Sequence, residues 1–326
     1  MPNSTLSING KPIGAVGYGL LGLTKPWVHV TLDEAAEVLK EALARGANLW
    51  NAGIHYGTPD KNSLHVLRHY FEKYPGDADK VVLSLKGALD IRTGPDGSPE
   101  GIRASVNTAL EVLGGFKKID VFECARVDPN VPIETSMQTL AELVAEGKIG
   151  GIGLSEVNAN TIRKAHAIHP IAAVEVEFSL FTPDPIHNGV LQTCQELGIV
   201  VIAYSPISRG WLTGDLRKFE DLAEDDFRHR LPRFQKPAFN QNLKLVEAVE
   251  KIANRKNTSL AQIAISWVAS QGAVPIPGSV QVARVRQNCD TVDLSEEDLK
   301  DLKTILDTFP IVGERYGGQQ EALLNA

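Results

Sequence analysis

Eight short β-rich runs that alternate with longer stretches of helical periodicity restrict this chain more than any other feature. The runs are Ile13–Gly17, Ala47–Asn51, Val81–Lys86, Ile119–Cys124, Ile149–Leu154, Ala172–Phe178, Ile199–Tyr204 and Ala273–Pro277. Helical spacing of apolar residues fills Leu32–Arg45, Lys61–Phe71, Ser98–Leu113, Ile133–Glu146, Ala159–Ile168, Gly189–Leu197, Leu243–Asn254 and Leu260–Ser270. Thr31-Leu32-Asp33-Glu34 reads as a capping box opening the first helix, and Ser295-Glu296-Glu297-Asp298 opens a later one in a similar way. Strands that alternate with helices predict a parallel sheet, and eight of them predict a (β/α)8 TIM barrel. A doubly wound sheet is the runner-up. Gly17-Tyr18-Gly19-Leu20-Leu21-Gly22 has the letters of a dinucleotide fingerprint, but Lys25-Pro26-Trp27 follows it and no helix opens there.

The length of 326 residues suits one barrel domain spanning 1–326. Hydrophobic residues make up 43% of the chain, enough for a large core. A net charge of −7 argues against nucleic acid as a partner, although one small phosphate still fits a local basic site. Cys124, Cys194 and Cys289 are odd in number and lack CxxC spacing, as in a reducing compartment without disulfides. The first residues have no apolar secretory core, and no apolar run approaches a membrane span. A cytoplasmic protein is expected, with nuclear entry left open and no membrane partner. The long irregular segment Arg209–Asn242 is expected to be functional or mobile. The tail 309–326 is expected to run extended over the barrel surface.

The chemistry is written at two strand ends. Leu49-Trp50-Asn51-Ala52-Gly53-Ile54-His55-Tyr56-Gly57 carries a tyrosine past the second strand, and Lys86 closes the third. In a barrel the two can meet across one mouth. An ammonium beside a phenol favours the phenolate and lowers its pKa. A phenol tuned in this way can protonate a carbonyl oxygen near neutral pH, and a hydride donor would complete a carbonyl reduction. His65 and His69 have helical i,i+4 spacing but no third ligand and no HExxH glutamate. They read as a solvated face, as do His166 and His169, and no metal is expected.

Taken with Phe122-Glu123-Cys124-Ala125-Arg126-Val127-Asp128-Pro129 and the segment Gly278–Asn288, these residues make the chain resemble the aldo-keto reductases over nearly its whole length. Within that superfamily it is most similar to the fungal pyridoxal reductases. The resemblance implies NADPH-dependent reduction of a small aldehyde, with pyridoxal reduced to pyridoxine and NADP+ formed. It also implies Tyr56 as proton donor, Lys86 as the group that lowers its pKa, and Asn51 as the group that orients Lys86. Two departures from the family pattern stand out. Asn51 occupies the place of an aspartate, which removes a negative charge that would keep the lysine protonated. Ala125, before Arg126, occupies the place of a histidine, which removes a donor that would orient the substrate. The space beside Ala125 suits a substituted ring, and His55 or Arg126 can take over part of the orienting. Trp27 is a further candidate for the pocket wall.

The same resemblance places Ser279, Gln281 and Arg284 at the 2′-phosphate of NADPH, where a guanidinium offers several donors and a fixed charge. Gln287 and Asn288 fall at the adenine. Gly278 stands where a lysine is common. Tyr204 is placed against the nicotinamide ring and Ser155 at its carboxamide. Glu175 and Glu156 replace a glutamine and an asparagine there, and a carboxylate accepts from the carboxamide but cannot donate. Glu175 and Glu177 read equally well as partners of barrel-interior lysines. Ser205, Ile207 and Arg209 begin a loop that folds over the pyrophosphate. The alternatives are a reductase of other aldehydes or ketones, and a cofactor-sensing binding protein like the reductase-fold β subunits of potassium channels.

Overall fold

Strands without polar alternation need cover on both faces, and a ring of helices supplies it on the outside. The computed structural model describes residues 6–326. Its main sheet contains β1 (Tyr18–Gly19), β2 (Leu49–Gly53), β3 (Val82–Gly87), β4 (Val121–Cys124), β5 (Ile152–Ser155), β6 (Ile171–Glu177), β7 (Val200–Tyr204) and β8 (Ala273–Pro275). All neighbours are parallel and pair in chain order. The Gly17 amide donates to the Pro275 carbonyl at 2.9 Å and draws the first strand against the last. The fold is therefore the expected (β/α)8 barrel.

Helices α1 (Leu32–Ala44), α2 (Ser63–Lys73), α3 (Pro99–Leu113), α4 (Ile133–Ala145), α5 (Ala159–Ile168) and α6 (Val190–Leu197) follow the first six connections. The chain between β7 and β8 carries α7 (Lys236–Arg255) and α8 (Leu260–Ser270), and α9 (Val282–Cys289), α10 (Glu296–Thr308) and α11 (Gly318–Ala322) come after β8. Both expected boxes form: Thr31 with Glu34 at α1, and Ser295 with Asp298 at α10. Such caps are worth about 1 kcal/mol each. Among the described residues, no helix is long and apolar enough to cross a membrane.

The barrel interior is divided into layers. Leu49, Val82, Val121, Ala173, Val200 and Val274 pack with Ile8 and Ile13 into an apolar floor. Side chains on one face of a strand recur every second residue. Two residues above this floor the interior turns polar, with Asn51, Ser84, Glu123 and Glu175 all buried. Strand register aligns the upper layer: Gly53 pairs with Lys86, Lys86 with Glu123, and Ser155 with Glu175.

Three expectations change. The first barrel strand is Tyr18–Gly19, not Ile13–Gly17, because Ile13 is recruited to the floor. The irregular segment ends at Gln235, since α7 already starts at Lys236. Pro237 sits in the first turn of that helix, where its missing N–H costs nothing. The tail contains α11 and folds across the C-terminal mouth of the barrel, held by Arg315 on Glu156 and by Ala326 on Asn158 and Glu156.

Candidate active site

Lys86 lies at the centre of the polar layer. Its Nζ stands 3.1 Å from Glu123 Oε1, in closer contact with Glu175 Oε2, and 3.5 Å from Asn51 Oδ1. The Asn51 amide donates to Glu175 at 2.5 Å, and the Ser84 hydroxyl donates to Glu123 at 3.2 Å. Burial alone would strip the lysine of its proton, but the charges of Glu123 and Glu175 hold its pKa well above the ordinary range. The negative charge absent at Asn51 is thus supplied from β4 and β6. Glu175 is engaged with Lys86, the contact expected of a partner to a barrel-interior lysine.

Tyr56 stands one turn beyond β2. Its ring covers the Cα of Gly53, where an added Cβ would come within 2.8 Å of the ring. Only glycine lets the ring sit there, and Gly53 is the register partner of Lys86. The phenol is pushed up to about 12, because burial outweighs the lowering effect of Lys86 and the two glutamates oppose it. The expectation of a net lowering by Lys86 is therefore corrected for the protein without cofactor or substrate. The reason is first the burial of the phenol, and then that the ammonium is already matched by buried carboxylates. His55 meets the Tyr56 ring edge-on at 4.8 Å. Burial, and then the charges of Lys86 and Arg126, pull its pKa down to about 4, so the imidazole is neutral at physiological pH. Its Nδ1 is buried without a partner.

The opposite side of the mouth is built with the tail. Arg315 forks onto Glu156 at 2.8 and 3.2 Å, and Arg209 donates to Glu177 at 2.9 Å. The Tyr316 ring lies 4.2 Å from the Arg209 guanidinium, and its hydroxyl meets that of Tyr204 at 3.0 Å. Arg209 and Glu156 are thus occupied by protein partners. Arg126 donates to the Ala125 carbonyl at 2.6 Å and stands 6.0 Å from the Tyr316 ring. Among the described residues no carboxylate pairs with Arg126, although it is largely enclosed. Ala125 is buried beside it. Trp27 is 57% exposed and stacks on Phe227 at 5.5 Å, so it bridges the first loop to the long loop and does not line an enclosed pocket.

Strain gathers on this rim. Ala88, Glu156 and Ser205, the first residues past β3, β5 and β7, all have φ between 52° and 55°. Non-glycine residues in that region cost on the order of 1–3 kcal/mol each and persist where the surroundings enforce them. Ser155 Oγ is buried on the same rim and has no partner. Around the first and last strands, the Tyr18 hydroxyl donates to the Ser279 carbonyl at 2.6 Å, and the Ser279 hydroxyl accepts from the Gln281 amide at 3.1 Å. Asn288 is buried, whereas Gln287 and Arg284 are exposed. Arg286 is committed to Glu41 at 2.8 Å, but among the described residues Arg284 has only Asp215 at 3.4 Å. The lysine missing at position 278 has a steric explanation, since a Cβ there would sit 2.4 Å from the Gly19 carbonyl oxygen. Ile207 packs against the core at the start of the long loop.

Four contributors escaped the sequence reading. Glu123 was visible only as part of a motif, and Glu156 only as a substituted cofactor contact. Arg315 and Tyr316 lay in a tail read as surface. An acidic residue on a barrel strand, two positions past an apolar one, was the available signal for Glu123. Nothing local marked the tail residues. Among the described residues no cluster of metal ligands is found.

The sequence profile of the Aldo/keto reductase family matches residues 15–307. A Schizosaccharomyces pombe protein named as probable pyridoxal reductase 2 is 43% identical, covering 98% of this chain and 99% of that one. A Saccharomyces cerevisiae protein named as a candidate pyridoxal reductase is 38% identical, covering 92% and 95% respectively. The solved structure of a glycerol dehydrogenase from Gluconobacter oxydans superposes with a TM-score of 0.83 at 24% identity, over 98% of this chain and all of that one. That likeness speaks to the fold.

Proposed function

The chain belongs to the aldo/keto reductase family, and from that premise we propose that it reduces pyridoxal to pyridoxine with NADPH. The observation that carries the reaction type is the packing of Tyr56 on Gly53, the register partner of Lys86. The substrate rests on the names of the two fungal relatives, and the family as a whole uses nicotinamide cofactors. The unpartnered Ser155 hydroxyl suits a carboxamide, and the loosely held Arg284 beside Ser279 and Gln281 suits a 2′-phosphate. Tyr204, Ser205 and Ile207 border the same rim, and Gln287 and Asn288 follow on α9.

Bound there, the reduced cofactor supplies a hydride to the carbonyl carbon. The residues of the chain manage the proton. Tyr56 stays a neutral phenol at physiological pH and donates a hydrogen bond to the carbonyl oxygen. As that oxygen gains alkoxide character it becomes more basic than a phenolate, and the proton crosses to it. Lys86 then faces a phenolate, whose charge its ammonium stabilises. General acid catalysis of this kind contributes about 10²–10⁴ in rate. Arg126 is matched to the 3-hydroxyl of pyridoxal, an acidic group ortho to the aldehyde. His55 offers a neutral ring nitrogen beside it.

Steady-state NADPH oxidation with pyridoxal and a panel of other aldehydes tests the reading. Tyr56→Phe should lose turnover by about 10²–10⁴ and keep its NADPH affinity. Turnover like that of the wild type in this variant would refute the assignment. Tight NADPH binding by the native protein without reduction of any aldehyde would instead support the cofactor-sensing alternative.

A further inference from the structure

We infer that Glu123 and Glu175 are positioning residues, a two-carboxylate clamp that holds Lys86 as an ammonium beside Tyr56 in the role the uncharged Asn51 leaves open. The inference rests on the reading of Tyr56 as proton donor. It comes from the way four strands converge. Lys86 from β3 is 4% exposed, and the carboxylates that reach it from β4 and β6 are 0% and 1% exposed. An ammonium buried this deeply loses its proton unless a counter-charge faces it. Asn51 cannot be that charge. Its carbonyl is 3.5 Å from Nζ, and its amide is turned to Glu175. Asn51 therefore supports a clamp arm more closely than it supports the lysine.

Burial raises the Glu175 carboxyl and the Lys86 ammonium pulls it back down, so the two groups titrate as a pair. The titratable groups facing Lys86 are Glu123 on β4, Glu175 on β6, and Tyr56 and His55 beyond β2. Of these only the glutamates supply negative charge at neutral pH. Besides Lys86, Ser84 donates to Glu123 Oε1 and Asn51 to Glu175, while Glu123 Oε2 has no partner among the described residues.

Glu123→Gln, Glu175→Gln and the double variant Asn51→Asp with Glu175→Gln separate the clamp from a packing role. Each single variant should lower kcat by about tenfold or more, and should move the alkaline limb of its pH profile down by about one unit. The sign follows from Lys86: removing a counter-charge lowers its pKa, so the active ammonium is lost at lower pH. NADPH affinity, read by fluorescence titration, should stay within about threefold of wild type, since the clamp does not depend on cofactor contacts. The double variant moves the charge to β2 and should regain most of the lost kcat. Pairing Asn51→Asp with Glu123→Gln makes the same comparison if Glu175→Gln does not fold. Unmoved pH profiles in the single variants, or no rescue in the double variants, would overturn the clamp. If Tyr56→Phe is inactive while those profiles stay unmoved, the clamp alone falls. If Tyr56→Phe stays active, the proton-donor reading falls first.

Discussion

Arg126 is the residue that the proposed function sets against the substrate's ring hydroxyl. Its guanidinium is enclosed by the rim, donates to a backbone carbonyl, lies over the Tyr316 ring at 6.0 Å, and has no carboxylate partner among the described residues. A charge-assisted hydrogen bond to an ionised ring hydroxyl is worth about 1.5–3 kcal/mol. Arg126→Met should therefore lower kcat/KM for pyridoxal by about 10–100-fold. An aromatic aldehyde without an ortho hydroxyl should lose much less. Equal losses for both substrates would place Arg126 in the wall and not in recognition. Part of this site was legible in the sequence. The positions of Tyr56 and Lys86 at neighbouring strand ends could be counted from the sequence, and the resemblance drew attention to Ala125. Two readings of Glu175 stayed open because a side chain on a barrel strand can face a cofactor above it or a lysine across the lumen, and local spacing cannot separate the two.

At the scale of elements, the junction of β1 with the end of β8 explains a departure from the family pattern. Gly278 abuts the Gly19 carbonyl, so the two backbones meet where other chains carry a lysine. Restoring that lysine looks favourable for a phosphate-bearing cofactor on charge alone. Steric overlap decides otherwise, because overpacking costs about 1–3 kcal/mol and shifts the backbone that presents Ser279 and Arg284. Gly278→Lys should lower the melting temperature and weaken NADPH binding. An increase in affinity, measured by titration, would show that the junction yields more easily than its geometry indicates. Element boundaries were read within a few residues where caps or apolar runs were strong, as at α1 and α10. They slipped at α7, which starts at Lys236 inside the segment read as irregular, with Pro237 in its first turn.

Over the whole molecule, the tail closes the structure that the strands open. Arg315, 9% exposed, neutralises Glu156, 1% exposed, while Ala326 donates to the Glu156 carbonyl and accepts from the Asn158 amide. Removing one partner of a buried pair costs about 3–5 kcal/mol, because a charge is left without compensation. Arg315→Met should lose about that much in chemical denaturation. Adding Glu156→Gln should return part of the loss, and strict additivity of the two variants would mean that the pair is not coupled. Activity should fall in parallel, since Tyr316 follows Arg315 and meets both Tyr204 and Arg209.

The order of residues along the chain was enough to establish the barrel, because hydrophobic periodicity is local and eight βα repeats admit few closed packings. It was also enough to bring a phenol and an amine to neighbouring strand ends, since both follow from counting along β2 and β3. The partners of Lys86 were decided only by the closed barrel. Glu123 and Glu175 lie 37 and 89 residues further along the chain, and they meet Lys86 because register and curvature point all three into one lumen. The same holds for the tail, whose two key side chains find charges and rings displayed by strands far earlier in the sequence. Electrostatic balance in a buried site depends on distance through space, and tertiary structure alone sets that distance.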